Sequence, residues 1–286
     1  MFTINDLERF SGIKAHTLRA WERRYTLLQP ARASNNFRLY TLDELKKILN
    51  VALLKKNGYS ISVLAHSINI EDKIELLLNE DNKWQKAIND LTINMYLEDP
   101  ESFEGLLHKL LLSWPIETLI EKIIFPFLKI TNLLWTGHKL SEEHLVVTAV
   151  RKKLIVAIES VNPAIKSDKT VLLFLPDTKQ LDLGLLYSNF FLKRRGVHIL
   201  YLGNDITIQN LKSIFQVHPP TYLFTYLPQN HQFPIEQLLT CMDVNAHYAK
   251  LIIGNYSLEY VAPVFSDNLI KMSYEEALEF LFTSCK

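Results

Sequence analysis

The hydrophobic pattern of the chain changes its period at Asn162-Pro163. Across 84–161 apolar residues recur at helical spacing, interrupted at Asp99-Pro100, at Trp114-Pro115 and over 135–141, which predicts four helices suited to a bundle. Pro126 falls within the third, and a proline inside a helix removes a backbone donor, so a kink is expected there. Beyond Pro163 short β-rich apolar runs at 171–175, 197–202, 222–226, 251–254 and 261–265 alternate with helical segments. Strands apolar on both faces and separated by helices predict a parallel, doubly wound sheet of the flavodoxin-like (Rossmann-like) kind. With 286 residues, 48% of them hydrophobic, the chain can fill more than one core.

Residues ahead of the bundle read differently. Thr3-x-x-Asp6 caps a short helix with Ile4, Leu7 and Phe10 inward, and Ser11-Gly12 allows a tight turn into a second helix from about Ala15 to Arg24. After Leu28-Gln29-Pro30, short runs around Arg32 and Arg38-Leu39-Tyr40 flank Ser34-Asn35-Asn36, the pattern of a small hairpin. Thr41-x-x-Glu44 has the form of a capping box and opens a helix with Leu42, Leu45, Ile48, Leu49 and Ala52 inward, ending near Gly58; Ser60 caps a shorter one through Ile68. The expected organisation is a multidomain α and α/β chain: a winged helix-turn-helix over 1–75, a four-helix bundle over 78–164 and the α/β domain over 167–286.

Net charge is zero, yet positive charge is concentrated in the first sixty residues, so a surface for an anionic partner belongs there. Arg19 and Arg23 lie four apart and share a helix face, while Leu18, Trp21 and Tyr25 anchor the opposite side. Two guanidinium groups on one stripe suit phosphates and guanine edges. Arg24, Arg32 and Arg38 carry the positive surface into the hairpin, where Asn36 forms the tip, and the hydroxyls of Thr17, Tyr25 and Tyr40 are candidate donors to phosphate oxygens. A solvated basic face would have the same composition, and the order of the residues decides between the two.

Other classes find less support. No apolar run approaches the ~20 residues that cross a bilayer, and the N-terminus lacks a secretory pattern, so a cytoplasmic, nucleoid-associated protein is expected. Cys241 and Cys285 are far apart, without the spacing of a zinc site or a disulfide framework, and no metal is expected. No Ser-His-Asp, Cys-His or paired-carboxylate constellation motivates catalysis.

The string Thr17-Leu18-Arg19-Ala20-Trp21-Glu22-Arg23-Arg24-Tyr25, followed by Leu28-x-Pro30-x-Arg32 and Arg38-Leu39-Tyr40, closely resembles the N-terminal domain of MerR-type regulators. The resemblance implies a second helix in the major groove, a wing against the backbone and a dimer on a pseudo-palindromic operator. Such domains usually carry Gly at the wing tip, where this chain has Asn36.

Trp-Glu-Arg-Arg-Tyr, a helical bundle and an α/β domain in that order resemble the cobalamin-dependent MerR-type repressors of carotenoid genes, some of them light sensors. In that family a bundle Trp covers the upper face of cobalamin and a Glu-His pair follows; Trp135 and Glu143-His144 match by type, at shorter spacing. A loop after the first strand supplies the lower axial His. Here the loop from Pro176 to Gly184 has Lys179 for the family's carboxylate and Leu181 for the His, and a leucine has no lone pair for cobalt. Thr225-x-Leu227 resembles the family's Ser-x-Leu, and Gly254-Asn255 replaces two glycines that let the backbone approach the nucleotide tail. His198, His218 and His231 do not occupy that loop, and His108, His138 and His247 form no cluster.

The reading is a sequence-specific DNA-binding regulator, not an enzyme, whose sensor has lost cobalamin and serves oligomerisation or another ligand. The alternative is a repressor that binds cobalamin (adenosylcobalamin) without a protein axial His; a methyl carrier would have no use for the DNA motif. A dimer on DNA, with a tetramer if the C-terminal domains associate, is the expected assembly.

Overall fold

A computed structural model describes residues 1–32, 38–67, 70–77, 79–97, 99–131, 141–164, 167–176, 182–227, 232–255, 264–265 and 267–286. Its contacts cluster into two compact units, Met1–Asn132 with Leu140–Val146, and Leu133–Lys139 with Val147–Lys286. The helix at the end of the helical middle, Ser141–Ser160, is therefore divided between them.

In the first unit, α1 (Ile4–Ser11) and α2 (Ala15–Tyr25) form the helix-turn-helix. Thr3 and Asp6 make the reciprocal capping box, and Gly12, at φ +70°, closes α1 in the left-handed conformation that glycine adopts without strain. No side chain of Lys14 caps α2; the Glu8 carboxylate reaches across the turn and accepts from the Ala15 N–H at 2.9 Å. That bond, helped by Lys14, holds the Glu8 carboxyl below its ordinary pKa. β1 (Ala31–Arg32) pairs antiparallel with β2 (Arg38–Leu39), and Phe2 bridges to Tyr40, so the wing is tied to the start of the chain.

α3 (Leu42–Lys56) opens on the expected Thr41–Glu44 capping box; Glu44 also accepts from the Gln29 N–H at 2.7 Å, which pins the loop before the wing. α4 (Ile61–Ala65) follows Ser60, but the Ser60 hydroxyl lies 3.2 Å from Ser62 Oγ and makes no cap bond, a correction to the sequence expectation. Ile68 lies outside the described residues, and α5 (Ile70–Glu75) was not foreseen. Leu7, Leu18, Trp21, Leu28, Leu45, Ile48 and Leu54 fill the core.

α6 (Glu80–Met95) completes that core: Ile93 and Tyr96 pack against it, with the Tyr96 ring 4.8 Å from Phe2 and 6.1 Å from Phe10. α7 (Pro100–Ser113) has its proline in the first turn, where a missing N–H costs nothing, and Asp99 as cap. Then come α8 (Ile116–Thr118), a π-helical turn over Leu119–Ile124 and α9 (Phe125–Thr131). The irregularity expected at Pro126 takes the form of this wider turn just before it, because the proline nitrogen cannot continue the α-helical ladder.

From Val147 onward α10 (Ser141–Ser160) belongs to the second unit, where it is followed by β3 (Thr170–Phe174), α11 (Leu183–Arg194), β4 (His198–Gly203), α12 (Ile208–Val217), β5 (Tyr222–Tyr226), α13 (Ile235–Asn245), β6 (Lys250–Asn255), β7 (Val264–Phe265), β8 (Leu269–Ser273) and α14 (Tyr274–Ser284). The sheet order is β4-β3-β5-β6-β8-β7, with five parallel strands and β7 antiparallel at the edge. Counting the parallel strands alone, this is the doubly wound order 2-1-3-4-5. The run at 261–265 is not the fifth parallel strand. That place belongs to β8, and β7 folds back on it; 261–263 lie outside the described residues.

Candidate functional site

The exposed stripe of α2 carries His16, Arg19 and Arg23 at successive turns, and with Arg38 of β2 they line a cleft of about 300 Å³. The helix is held rigidly from behind: Leu18 and Trp21 are buried in the core on its opposite side. Four nitrogen-rich side chains around one cleft, without a carboxylate among its described lining, present a positive surface suited to an anion.

Arg38 is fixed by a group that the charge pattern hid. Glu22, its side chain only 15% exposed, accepts from Arg38 Nε at 2.9 Å and from the Tyr40 hydroxyl at 3.1 Å. One carboxylate on the helix thus grips Arg38 of β2 and Tyr40 just after it. Tyr40, expected to donate to phosphate, is fully buried instead, its hydroxyl committed to Glu22; burial first, and Glu22 second, push the phenol well above its ordinary range. The signal available in the sequence was the single acid between Trp21 and Arg23-Arg24.

The remaining positions divide. Arg19, Arg23, Arg24 and Arg32 are exposed, Thr17 and Tyr25 are half-buried, and the Arg24 guanidinium lies 5.4 Å from the Tyr25 ring centre. Asn36 lies outside the described residues, as do Trp135 and Leu181, and nothing of the Glu143 side chain is described; His144 is exposed on α10.

In the α/β domain the structure brings Gly184 and Gly254 to one place and sends Thr225 and Leu227 elsewhere. Tyr274, at the start of α14 and fully buried, donates its hydroxyl to the Gly184 carbonyl; the Ser188 hydroxyl lies 2.8 Å from both oxygens. A Cβ on Gly254 would stand 3.2 Å from the Phe224 ring and 3.3 Å from Tyr274 Cα. Strand alternation puts Phe224 and Tyr226 on this face of β5 and Thr225 on the other. Leu227 belongs to the opposite cluster, with Leu211, Phe215, Leu238 and Met242 of α12 and α13. Thr225 Oγ1 is buried and finds no hydrogen-bond partner among the described residues.

Among the described residues no three His, Cys, Asp or Glu come together as a metal set, and no helix is long and apolar enough to cross a membrane. His198 opens β4 and sits 2.9 Å from Thr170 Oγ1, while His218 ends α12.

Residues 2–69 match the family model described as MerR HTH family regulatory protein. The chain is 24% identical over 275 residues to the HTH-type transcriptional repressor CarA of Myxococcus xanthus, covering 92% of this chain and 90% of that protein. It is 23% identical over 232 residues to the repressor CarH of the same organism, covering 76% of each. Both relatives are transcriptional repressors. Among solved structures, the Methanosarcina barkeri monomethylamine corrinoid protein matches with a TM-score of 0.52 at 15% identity, covering 70% of this chain and 99% of that one, a likeness of fold. The matched MerR-type helix-turn-helix over residues 2–69 carries the arginine stripe and the second unit carries a doubly wound sheet like that of the corrinoid protein, and over most of its length the chain is similar to the CarA and CarH repressors.

Proposed function

We propose that the chain binds a specific operator as a dimer and that its α/β domain does so without cobalamin, acting in oligomerisation or as receptor for another ligand. The observation that carries the DNA reading is the cleft shared by His16, Arg19 and Arg23 of the helix with Arg38 of the wing. A helix presented to the major groove places Arg19 and Arg23 against base edges, and the wing arginines Arg32 and Arg38 meet the backbone on its rim.

The residues present do not fit cobalamin. Leu181 stands where the resembled family has its axial His, and the room that Gly254 leaves beside the sheet is taken by Phe224 and Tyr274 of this chain. Thr225 and Leu227 lie across the sheet from Gly254, so these three positions do not share one face of it.

The test is a mobility-shift titration with the chain's own promoter duplex at fixed salt. Arg19→Ala and Arg38→Ala are each expected to weaken binding about tenfold, the size of one lost charged contact. Unchanged affinity in both variants, with circular dichroism like that of the wild type, would count against this placement of the DNA. On mixing the wild-type chain with adenosylcobalamin, no protein-bound visible band is expected after gel filtration; a retained band would restore the cofactor to the sensor.

A further inference from the structure

We propose that Tyr274 occupies, as part of the polypeptide, the place between Gly184 and Gly254 where a ligand's ring would lie, so that the α/β domain is built around its own aromatic plug. The inference rests on the reading that this domain holds no cobalamin, and it says what fills the space instead. Three observations meet at this one side chain. Its hydroxyl is donated to Gly184, whose carbonyl also faces Ser188 Oγ. Its ring packs 5.9 Å from Tyr226 and 6.1 Å from Phe224, two of the large side chains on this face of β5. Its backbone lies against Gly254, so closely that an added methyl would press on Tyr274 Cα and the Phe224 ring together.

Each contact has the chemistry that a planar, hydrogen-bonding ligand would need: a carbonyl acceptor at the edge, aromatic faces beside it, and a glycine that lets the ring approach the sheet. Here the ring comes covalently attached and pays no association entropy, so the slot is filled at every ligand concentration. Tyr274, Phe224 and Tyr226 are all buried, at 0%, 0% and 1% exposure, and burial raises the Tyr274 phenol well above its ordinary pKa, which keeps it a donor. Gly254 is on this account retained for packing within the chain.

The experiment is thermal unfolding of the full chain and two variants, with and without 4-methylphenol, the free equivalent of the tyrosine side chain. Tyr274→Ala should melt well below the wild type and recover by about 2–4 °C in excess 4-methylphenol, whereas the wild type should not respond. Gly254→Ala should also lower the melting temperature, because the methyl meets packed atoms; beside an open slot the same change would be neutral or stabilising. Should Tyr274→Ala fail to fold, the sign of the Gly254→Ala shift decides alone. A neutral or stabilising Gly254→Ala, or no 4-methylphenol response from a folded Tyr274→Ala, overturns the plug and leaves the cofactor-free reading standing. Adenosylcobalamin raising the wild-type melting temperature would overturn both.

Discussion

A basic helix does not read DNA by charge alone; its arginines have to be aimed, and Glu22 aims one of them. The carboxylate lowers the local positive charge by one, yet it fixes Arg38 Nε at 2.9 Å and stops the wing strand from swinging away from α2. Tyr40 is the third member and faces inward, so Tyr40→Phe separates architecture from contact. It removes one hydrogen bond to a charged acceptor, while Arg38 still engages Glu22. The expected cost is about 1–2 kcal/mol in urea unfolding, with an unchanged slope of log affinity against log salt. Arg19→Ala should behave in the opposite manner, leaving stability alone and reducing that slope by about one. A salt slope altered by Tyr40→Phe would return the hydroxyl to the phosphate, where the sequence had placed it.

Elements were legible where their signals are local. Thr3-x-x-Asp6 and Thr41-x-x-Glu44 announce α1 and α3, Gly12 marks the turn, and the run at 222–226 coincides with β5 because β-branched and aromatic residues fill it and no charged residue interrupts it. β8 escaped because Leu269–Ser273 is short, carries Lys271 and runs straight into α14, while the apolar residues before it looked more like a strand. The roles of Glu22 and Tyr274 escaped for a different reason: their partners lie 16 and 90 residues away, a distance that no periodicity encodes. The same holds for the junction of α3 with α6. Asn57 and Asn82 exchange two side-chain hydrogen bonds of 2.8 Å, and Asn82 is buried. Removing one amide leaves the other partly unsatisfied, so Asn82→Ala should cost about 1–3 kcal/mol. Because α6 shares the core of the DNA-binding end through Tyr96, that loss should appear in the unfolding of the helix-turn-helix itself, followed by Trp21 fluorescence in a chain whose other tryptophans are replaced by phenylalanine. An unchanged urea midpoint would mean that α6 is not part of that cooperative unit.

The two compact units share one chemical device, a buried tyrosine whose hydroxyl is spent on an internal acceptor. Tyr40 serves the first through Glu22 and Tyr274 the second through Gly184, and burial is the leading cause of the raised pKa in both. Half-buried Tyr201 is shifted the same way, by burial and then by Asp182. In the unfolded chain these phenols ionise near pH 10, whereas the folded chain keeps them protonated to higher pH. Between those values the native state binds more protons than the unfolded state, so the stabilisation is fully present below about pH 10 and falls as the pH rises through and beyond it. The limiting slope is about 1.4 kcal/mol per pH unit for each fully buried tyrosine. The phenols of Tyr40 and Tyr274 should titrate at 295 nm in a step that coincides with loss of far-UV circular dichroism. Tyr274→Phe should remove the part of that step that belongs to the α/β domain and leave the part owed to Tyr40. A smooth titration of both near pH 10, with the dichroism intact, would mean that neither hydroxyl is held as described.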